Sequence, residues 1–432
     1  MVIAPEIICG KGGVLPARGA GHLGFKLAMI LGLLANTIPA TGQTDAGYYA
    51  RTSPYLPYTS PEPVKYNLKW GKLTARVSGT ADSEFNDNVN LSETAPRSDF
   101  SLGINVGLGI LYPFSEHNVL QIDLGAGYRW YLSSPSLNSF GLSPNTRLDQ
   151  TIIIGDVHLN VHDNISIQTD PLGRPEIGGG ISLINFQMFH NVAGLTAEWQ
   201  PFRYVSFVGG YDYTLDRALT ASFTALDLDT HTFNAGMNYI VSPRWTVGVG
   251  GAYSFTTYRL KIQNDNDTYT VGPTVTWHAT KVISVNASVG YTVSSFDGSG
   301  TIADNSEFGS WTFQGGIKHT INPRMSHELR FGRSSNLGFG NNFTDTYTAQ
   351  YSLRTQLTSA ISLGTGLAYE HFRLSGAPGE QASRYLATIG TGFHLTRLWS
   401  IGLGYSYALK QSDQPAHGYS QNRLTLNVTR QF

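Results

Sequence analysis

The stretch FSLGINVGLGILY, residues 100–112, sets Phe100, Leu102, Ile104, Val106, Leu108, Ile110 and Tyr112 on every second position. Ser101, Gly103, Asn105, Gly107 and Gly109 fall between them. Successive strand residues point to opposite faces, so this reads as a strand with one apolar and one polar side. The pattern returns at Leu120, Ile122, Leu124, Ala126, Tyr128 and Trp130, set against Gln121, Asp123, Gly125, Gly127, Arg129 and Tyr131. It returns again at Trp399, Ile401, Leu403, Tyr405, Tyr407 and Leu409, set against Ser400, Gly402, Gly404, Ser406, Ala408 and Lys410. Strands of this length are about twice what a soluble sandwich uses.

Short polar or proline-bearing turns punctuate the chain at residues 113–118, 162–164, 200–203, 242–244, 279–281, 322–324, 358–360 and 396–398. Their spacing is about forty residues, a period worth testing as a repeat. Longer polar loops, such as residues 261–267 and 297–309, alternate with them. A propeller needs four short strands per blade, and no Trp-Asp pair recurs here. Long alternating strands, with short turns at one end, longer loops at the other and abundant aromatics, define a barrel with lipid outside and water inside.

The expected fold is therefore all-β: a transmembrane antiparallel up-and-down β-barrel with both termini in the periplasm. Strand starts fall near Lys72, Asp99, Val119, Thr151, Asn164, Met188, Arg203, Thr230, Trp245, Thr268, Val282, Ser310, Arg324, Thr344, Ala360, Ser383, Leu398 and Asn422. That makes about 18 strands, with 16 or 20 as alternatives, the even parity of single-chain bacterial barrels.

Composition agrees. Charged residues are 14% of the chain, against 48 Gly, 23 Tyr and 21 Phe, with 5 Met and 1 Cys. Lys11, Arg18 and Lys26 precede an apolar run at residues 27–35, and Ala40-Thr41-Gly42 has a small-x-small form. Residues 1–42 read as a signal peptide, 43–70 as an extended periplasmic N-terminal segment, and 71–432 as the barrel. Removing Glu6, those three cations and Cys9 leaves 26 Lys and Arg against 29 Asp and Glu, with no thiol. A nearly neutral exported chain gives no case for nucleic acid.

The sequence QNRLTLNVTRQF, residues 421–432, alternates Leu424, Leu426 and Val428 and closes on Phe432. It resembles the signal that the outer-membrane barrel assembly machinery recognises in terminal strands. Arg430 departs from that pattern, in a place where its side chain can snorkel to headgroups. The edge of this strand is expected to pair with the strand from Lys72. A second resemblance rests on residues 70–100, with Asp87-Asn88 and Ser98-Asp99-Phe100, and on NVAGLTAEW (191–199) and VGGYDYT (208–214). These resemble the putative β-barrel porin family, outer-membrane β-barrel proteins often associated with surface-polysaccharide loci. The resemblance implies location and fold more than substrate.

Expected pore-lining residues are Arg76, Asp123, Arg129, Asp156, His158, Glu198, Asp212, Lys318, Glu328, Arg330, Arg354, Glu370, Arg384 and Arg423. Mixed signs suit a solvated lumen braced by charge pairs, or charged rings that select solutes. Asp156, His158, Asn160 and His162 share one face, but alternate residues lie about 7 Å apart, so His158 and His162 cannot share an ion. NDN (86–88) and NDND (264–267) are explained by Asx turns. Neither metal nor cofactor is expected, and no nucleophile–base signature marks an enzyme. The third long loop, residues 169–187, is a candidate for folding into the lumen.

The functional expectation is a porin-like outer-membrane channel for passive passage of small hydrophilic solutes, linked to surface polysaccharide export or assembly in its narrower form. The alternative is a non-conducting barrel acting as anchor or scaffold for surface glycans, and a remote one is a barrel hydrolase. Expected partners are outer-membrane lipid and lipopolysaccharide, the assembly machinery and surface polysaccharide.

Overall fold

Alternation of this regularity has one structural outcome, and the computed structural model shows it over residues 68–143, 145–169, 186–377 and 379–432. Twenty strands form one sheet. They are β1 (Leu68–Trp70), β2 (Leu73–Asn86), β3 (Asp99–Ser115), β4 (Asn118–Tyr131), β5 (Ser139–Leu142), β6 (Arg147–Ile154) and β7 (Val157–Gln168). Next come β8 (Met188–Phe202), β9 (Val205–Ala218), β10 (Leu228–Ser242), β11 (Trp245–Tyr258), β12 (Asn266–Trp277), β13 (Ile283–Phe296) and β14 (Phe308–Asn322). The rest are β15 (Met325–Leu337), β16 (Phe343–Gln356), β17 (Ile361–Leu374), β18 (Gln381–His394), β19 (Trp399–Ser412) and β20 (Tyr419–Gln431).

Each strand pairs antiparallel with its neighbours in sequence, β5 with β6 excepted, and β20 pairs with β2 to close the ring. β5 and β6 are one interrupted stave, because both pair with β4, at Ala126–Arg129 and Asn118–Asp123 respectively. Thr146 bridges the interruption: its Oγ1 accepts from the Gly125 N–H and donates to the Gly125 carbonyl, both at 3.1 Å. β1 only extends the edge of β2, at residues 73–75. The wall thus has eighteen staves, as the sequence leads one to expect, and no α-helix occurs among the described residues.

The apolar face points outward. Ile104 and Val106 are 54% and 57% exposed, an aggregation hazard in water and an ordinary contact in lipid. Aromatic pairs rim both ends of this band. Trp199–Phe207 and Trp245–Trp277 stand near the short turns, and Tyr253–Tyr269, Tyr291–Trp311 and Tyr369–Tyr385 near the long loops. Leu424 and Leu426 face outward on β20 as expected. Arg430 does more than snorkel: its guanidinium carbon lies 5.3 Å from the Trp399 ring centroid and 4.5 Å from that of Phe432. Stacking on two aromatics offsets the loss of an apolar residue there.

One turn is misplaced by the sequence reading. The polar triplet His162-Asp163-Asn164 looks like a turn, yet β7 runs straight through it. The turn lies at Gly155-Asp156, where Gly155 takes φ +59°, the left-handed conformation tight hairpins require. Asp163 instead accepts a hydrogen bond from Asn191 Nδ2. Asp156 is therefore an exposed turn residue, not a pore-lining one. The N-terminal 67 residues, with the proposed signal peptide and Cys9, and most of loop 169–187 lie outside the described residues.

Candidate functional site: the lumen

Burial on the polar face changes with depth. On β11, Tyr258, Thr256 and Ser254 are 3%, 2% and 1% exposed, while Ala252, the next inward residue toward the short turns, is partly open. β10, β12, β13, β16, β17, β18, β19 and β20 repeat the step. Hydroxyls in this zone pair across strands: Thr230 with Thr256 at 2.8 Å, Thr268 with Ser294 at 2.8 Å and Thr292 with Thr312 at 2.9 Å. Toward the short turns most inward residues are part-exposed, with Glu198 and Ser206 as buried exceptions, and the third nearest the long loops is packed.

The loops do the packing. Leu91, in the β2–β3 loop, touches two apolar clusters at once. One is Ala368, Leu386, Ala408 and Tyr419, on the inner face of β17–β20. The other gathers Phe186, Met188, Phe223 and Leu226 with Phe339. The loops carrying Leu91, Phe223 and Phe339 leave the ring six staves apart, so they meet from three directions. The β2–β3 loop is braced from within: Asn88 Nδ2 donates to Ser92 O and Ser420 O, both at 2.8 Å, and Gln421 Nε2 donates to Asn88 O at 2.7 Å. The Asx turn expected in NDN is present, with the Asn88 N–H donating to Asn86 Oδ1 at 2.9 Å.

A polar knot joins the loop of Phe339 to three further loops. Asn264 Nδ2 donates to Asn342 Oδ1 at 2.8 Å and to Asp304 O at 3.0 Å. The Asp304 carboxylate accepts from the Asn342 N–H at 2.8 Å, from Ser375 Oγ at 2.5 Å and from the Ser306 N–H at 2.8 Å. Burial works to raise the Asp304 pKa, but these hydrogen bonds outweigh it and hold the group below the usual carboxylate value.

Below the packed zone, charge separates by sector. Asp123, Arg147 and Asp149 stand on β4 and β6, with Arg147 Nε 3.1 Å and 3.2 Å from the two carboxylates, and Glu198 lies on β8. Lys318, Arg330 and Arg354 stand on β14, β15 and β16, with Glu328 holding Arg330 Nε at 2.5 Å. These two sectors are about half a circuit apart on the ring, and their residues lie two to seven positions from the short-turn ends of their strands. Arg76 lies at the same height on β2, and His158 lower, on β7.

The remaining candidates sit higher. Arg129 joins Asp82 and Ser101, and Asp212 joins His162 at 2.8 Å. Arg384–Glu370 and Arg423–Glu84 belong to the packed third. Sequence reasoning missed Arg147 and Asp149 through the misplaced turn, and it missed Leu91 and Glu380 because loop contacts leave no periodic signal. Glu380 accepts from Lys410 Nζ at 2.6 Å.

Glycines make room for the lumen's carboxamides and carboxylates. Gly103 faces Asp82, Gly127 faces Asn105, Gly194 faces Asp212, and Gly402 faces Asn427 across adjacent strands. In each pair the longer side chain lies flat over the glycine. A Cβ at Gly194 would meet Asp212 Oδ1 and stand 2.7 Å from both His162 Nε2 and Tyr211 O. Gly194→Val is expected to destabilise the barrel by about 1–3 kcal/mol and to push Asp212 into the bore. The urea midpoint and single-channel conductance should both fall.

Ser166, His190 and Asp216 share one register row, with His190 Nδ1 2.5 Å from Asp216 Oδ1. The order is that of a hydrolase triad, but no hydrogen bond links Ser166 to His190, and all three are buried. The row reads as a wall brace.

No family model and no curated protein matches the chain. Among solved structures it is similar to OccK5 (OpdH) of Pseudomonas aeruginosa, at TM-score 0.46 and 12% identity, covering 83% of this chain and 98% of that one. It is similar to the outer membrane protein OpdK of the same organism, at 0.47 and 12%, covering 83% and 99%. OccAB3 of Acinetobacter baumannii gives 0.46 and 11%, covering 83% and 99%. These are likenesses of shape alone; the barrel rests on its own strand pairings.

Proposed function

We propose that the protein is an outer-membrane channel for small hydrophilic solutes that rests with its outer mouth shut. The short turns then face the periplasm and the long loops face outside, in the lipopolysaccharide leaflet. The observation that carries this reading is the polar, mostly part-exposed lower lumen with two sectors of opposite net charge. Such a wall holds water and orients charged or dipolar solutes; a barrel that only anchors has no need of it. A link to surface-polysaccharide export or assembly rests on the resemblance of residues 70–100.

Purified protein in planar bilayers is expected to give infrequent, brief conductance steps. Exchanging Lys318 and Arg354 for glutamate should turn the belt acidic and raise cation over anion selectivity several-fold, read from the reversal potential in a salt gradient. The packed outer third favours a second reading, a non-conducting anchor or scaffold for surface glycans. Silence from both the wild type and a variant lacking residues 89–96 would decide for the scaffold.

A further inference from the structure

Ala368, Leu386 and Ala408 form one row of the inner wall, directly opposed across β17, β18 and β19. They are 6%, 3% and 2% exposed, and Tyr419 beside them is 8% exposed. The row is out of place in a polar bore. Immediately above it runs the charged row Glu370, Arg384 and Lys410; immediately below it are Gly366, Thr388 and Ser406. Uncovered, an apolar row in a water-filled lumen would cost free energy in proportion to its area.

What covers it is Leu91, delivered by the chain's own loop. The seat is held at a cost. Leu91 takes φ +48°, a left-handed conformation disfavoured for a residue that carries a Cβ. Asn88 and Asn90 brace the loop around it, with Asn90 Oδ1 accepting the Arg97 N–H at 2.9 Å and Asn90 Nδ2 donating to Ala95 O at 3.0 Å. Among the described residues, Leu91 is also the one shared by the two clusters that meet across the bore. Displacing this single side chain therefore uncouples the inner wall from the opposite loops.

We infer that the row Ala368, Leu386 and Ala408 with Tyr419 is a binding site for the short alkyl group of a solute, occupied at rest by Leu91. A solute with a short hydrocarbon end and a charged or hydroxylated end fits both surfaces it meets. Its apolar end takes the place of Leu91, and its polar end stays in the hydrated bore below. Binding and opening are then one event, because both compete with the same side chain. The inference rests on the channel reading for its consequence, not for the binding itself.

The test uses the straight-chain carboxylates acetate, butanoate and hexanoate on the barrel in nanodiscs and in planar bilayers. Calorimetry in nanodiscs should show apparent affinity rising about fourfold per buried methylene from butanoate to hexanoate, the equivalent of about 0.8 kcal/mol each. Leu91→Ser should tighten hexanoate binding and conduct without any carboxylate. Ala408→Glu, with heat-modifiable gel mobility confirming the fold, should lose the chain-length dependence. Equal affinities for acetate and hexanoate, or wild-type affinity in Leu91→Ser, would overturn the site. Binding that follows chain length without any conductance steps would keep the site and sink the channel.

Discussion

Replacing Glu370 with alanine is expected to cost the barrel about 3–5 kcal/mol, the largest effect of any single substitution proposed for this chain. Arg384 and Glu370 are 3% and 4% exposed, and Arg384 Nε donates to Glu370 Oε2 at 2.6 Å. Truncating the acid leaves a guanidinium buried beside Lys410, in a row that already carries two cations. A surface pair of the same length would contribute little. The control is the double variant Glu370→Ala, Arg384→Met, which removes the excess buried positive charge and should recover most of the loss. Urea unfolding in lipid vesicles measures both. A double variant no better than the single would mean that the pair's own attraction, rather than the excess buried charge, sets the loss.

Asp304→Ala should release the loop knot without unfolding the wall. The carboxylate accepts three hydrogen bonds from three loop segments, and its removal leaves the Asn342 N–H buried and unpartnered. Each orphaned donor costs about 1–3 kcal/mol. The expected readouts are faster amide exchange over residues 297–307 and 338–342 and a higher open probability, with the heat-modifiable fold intact. Asp304 also sets a pH dependence. Its folded pKa is depressed, so its contribution is complete above the ordinary carboxylate range and is lost as pH falls through the lowered value. Open probability should therefore be flat from pH 8 to 5 and rise only in strong acid, below about pH 4. A rise near pH 6 would place the switch elsewhere.

The wall was legible in the sequence because lipid and water impose opposite chemistry on successive residues. Phe100 to Tyr112 cannot slip by one position without exposing its whole apolar set to the lumen. Starts such as Asp99, Met188 and Trp245 fall on the first residue of β3, β8 and β11 for this reason. The β6–β7 turn was misread because a polar triplet inside a strand resembles a loop, while Gly155, which makes the turn, follows an apolar run.

The outer third was illegible for a different cause. Asn264, Asp304 and Asn342 bond across three loops, and neither their spacing nor their type encodes that pairing. The opposed sectors of charge needed strand heights, which only the register supplies.

The seam between β2 and β20 is joined by nine residue pairs, from Ser78–Gln431 to Asn86–Arg423, whereas β17 and β18 share thirteen. It brings together Thr80 and Thr429, 349 residues apart in the chain, with their hydroxyls 2.9 Å apart. Loop-closure entropy grows only logarithmically, so the distance adds little to the equilibrium. It weighs instead on time, since contacts this remote form after the local hairpins have zipped. Until then both terminal strands offer bare edges to any passing chain. The step that ends this exposure is thus the slowest to arrive and is secured by fewer rungs than the hairpins beside it.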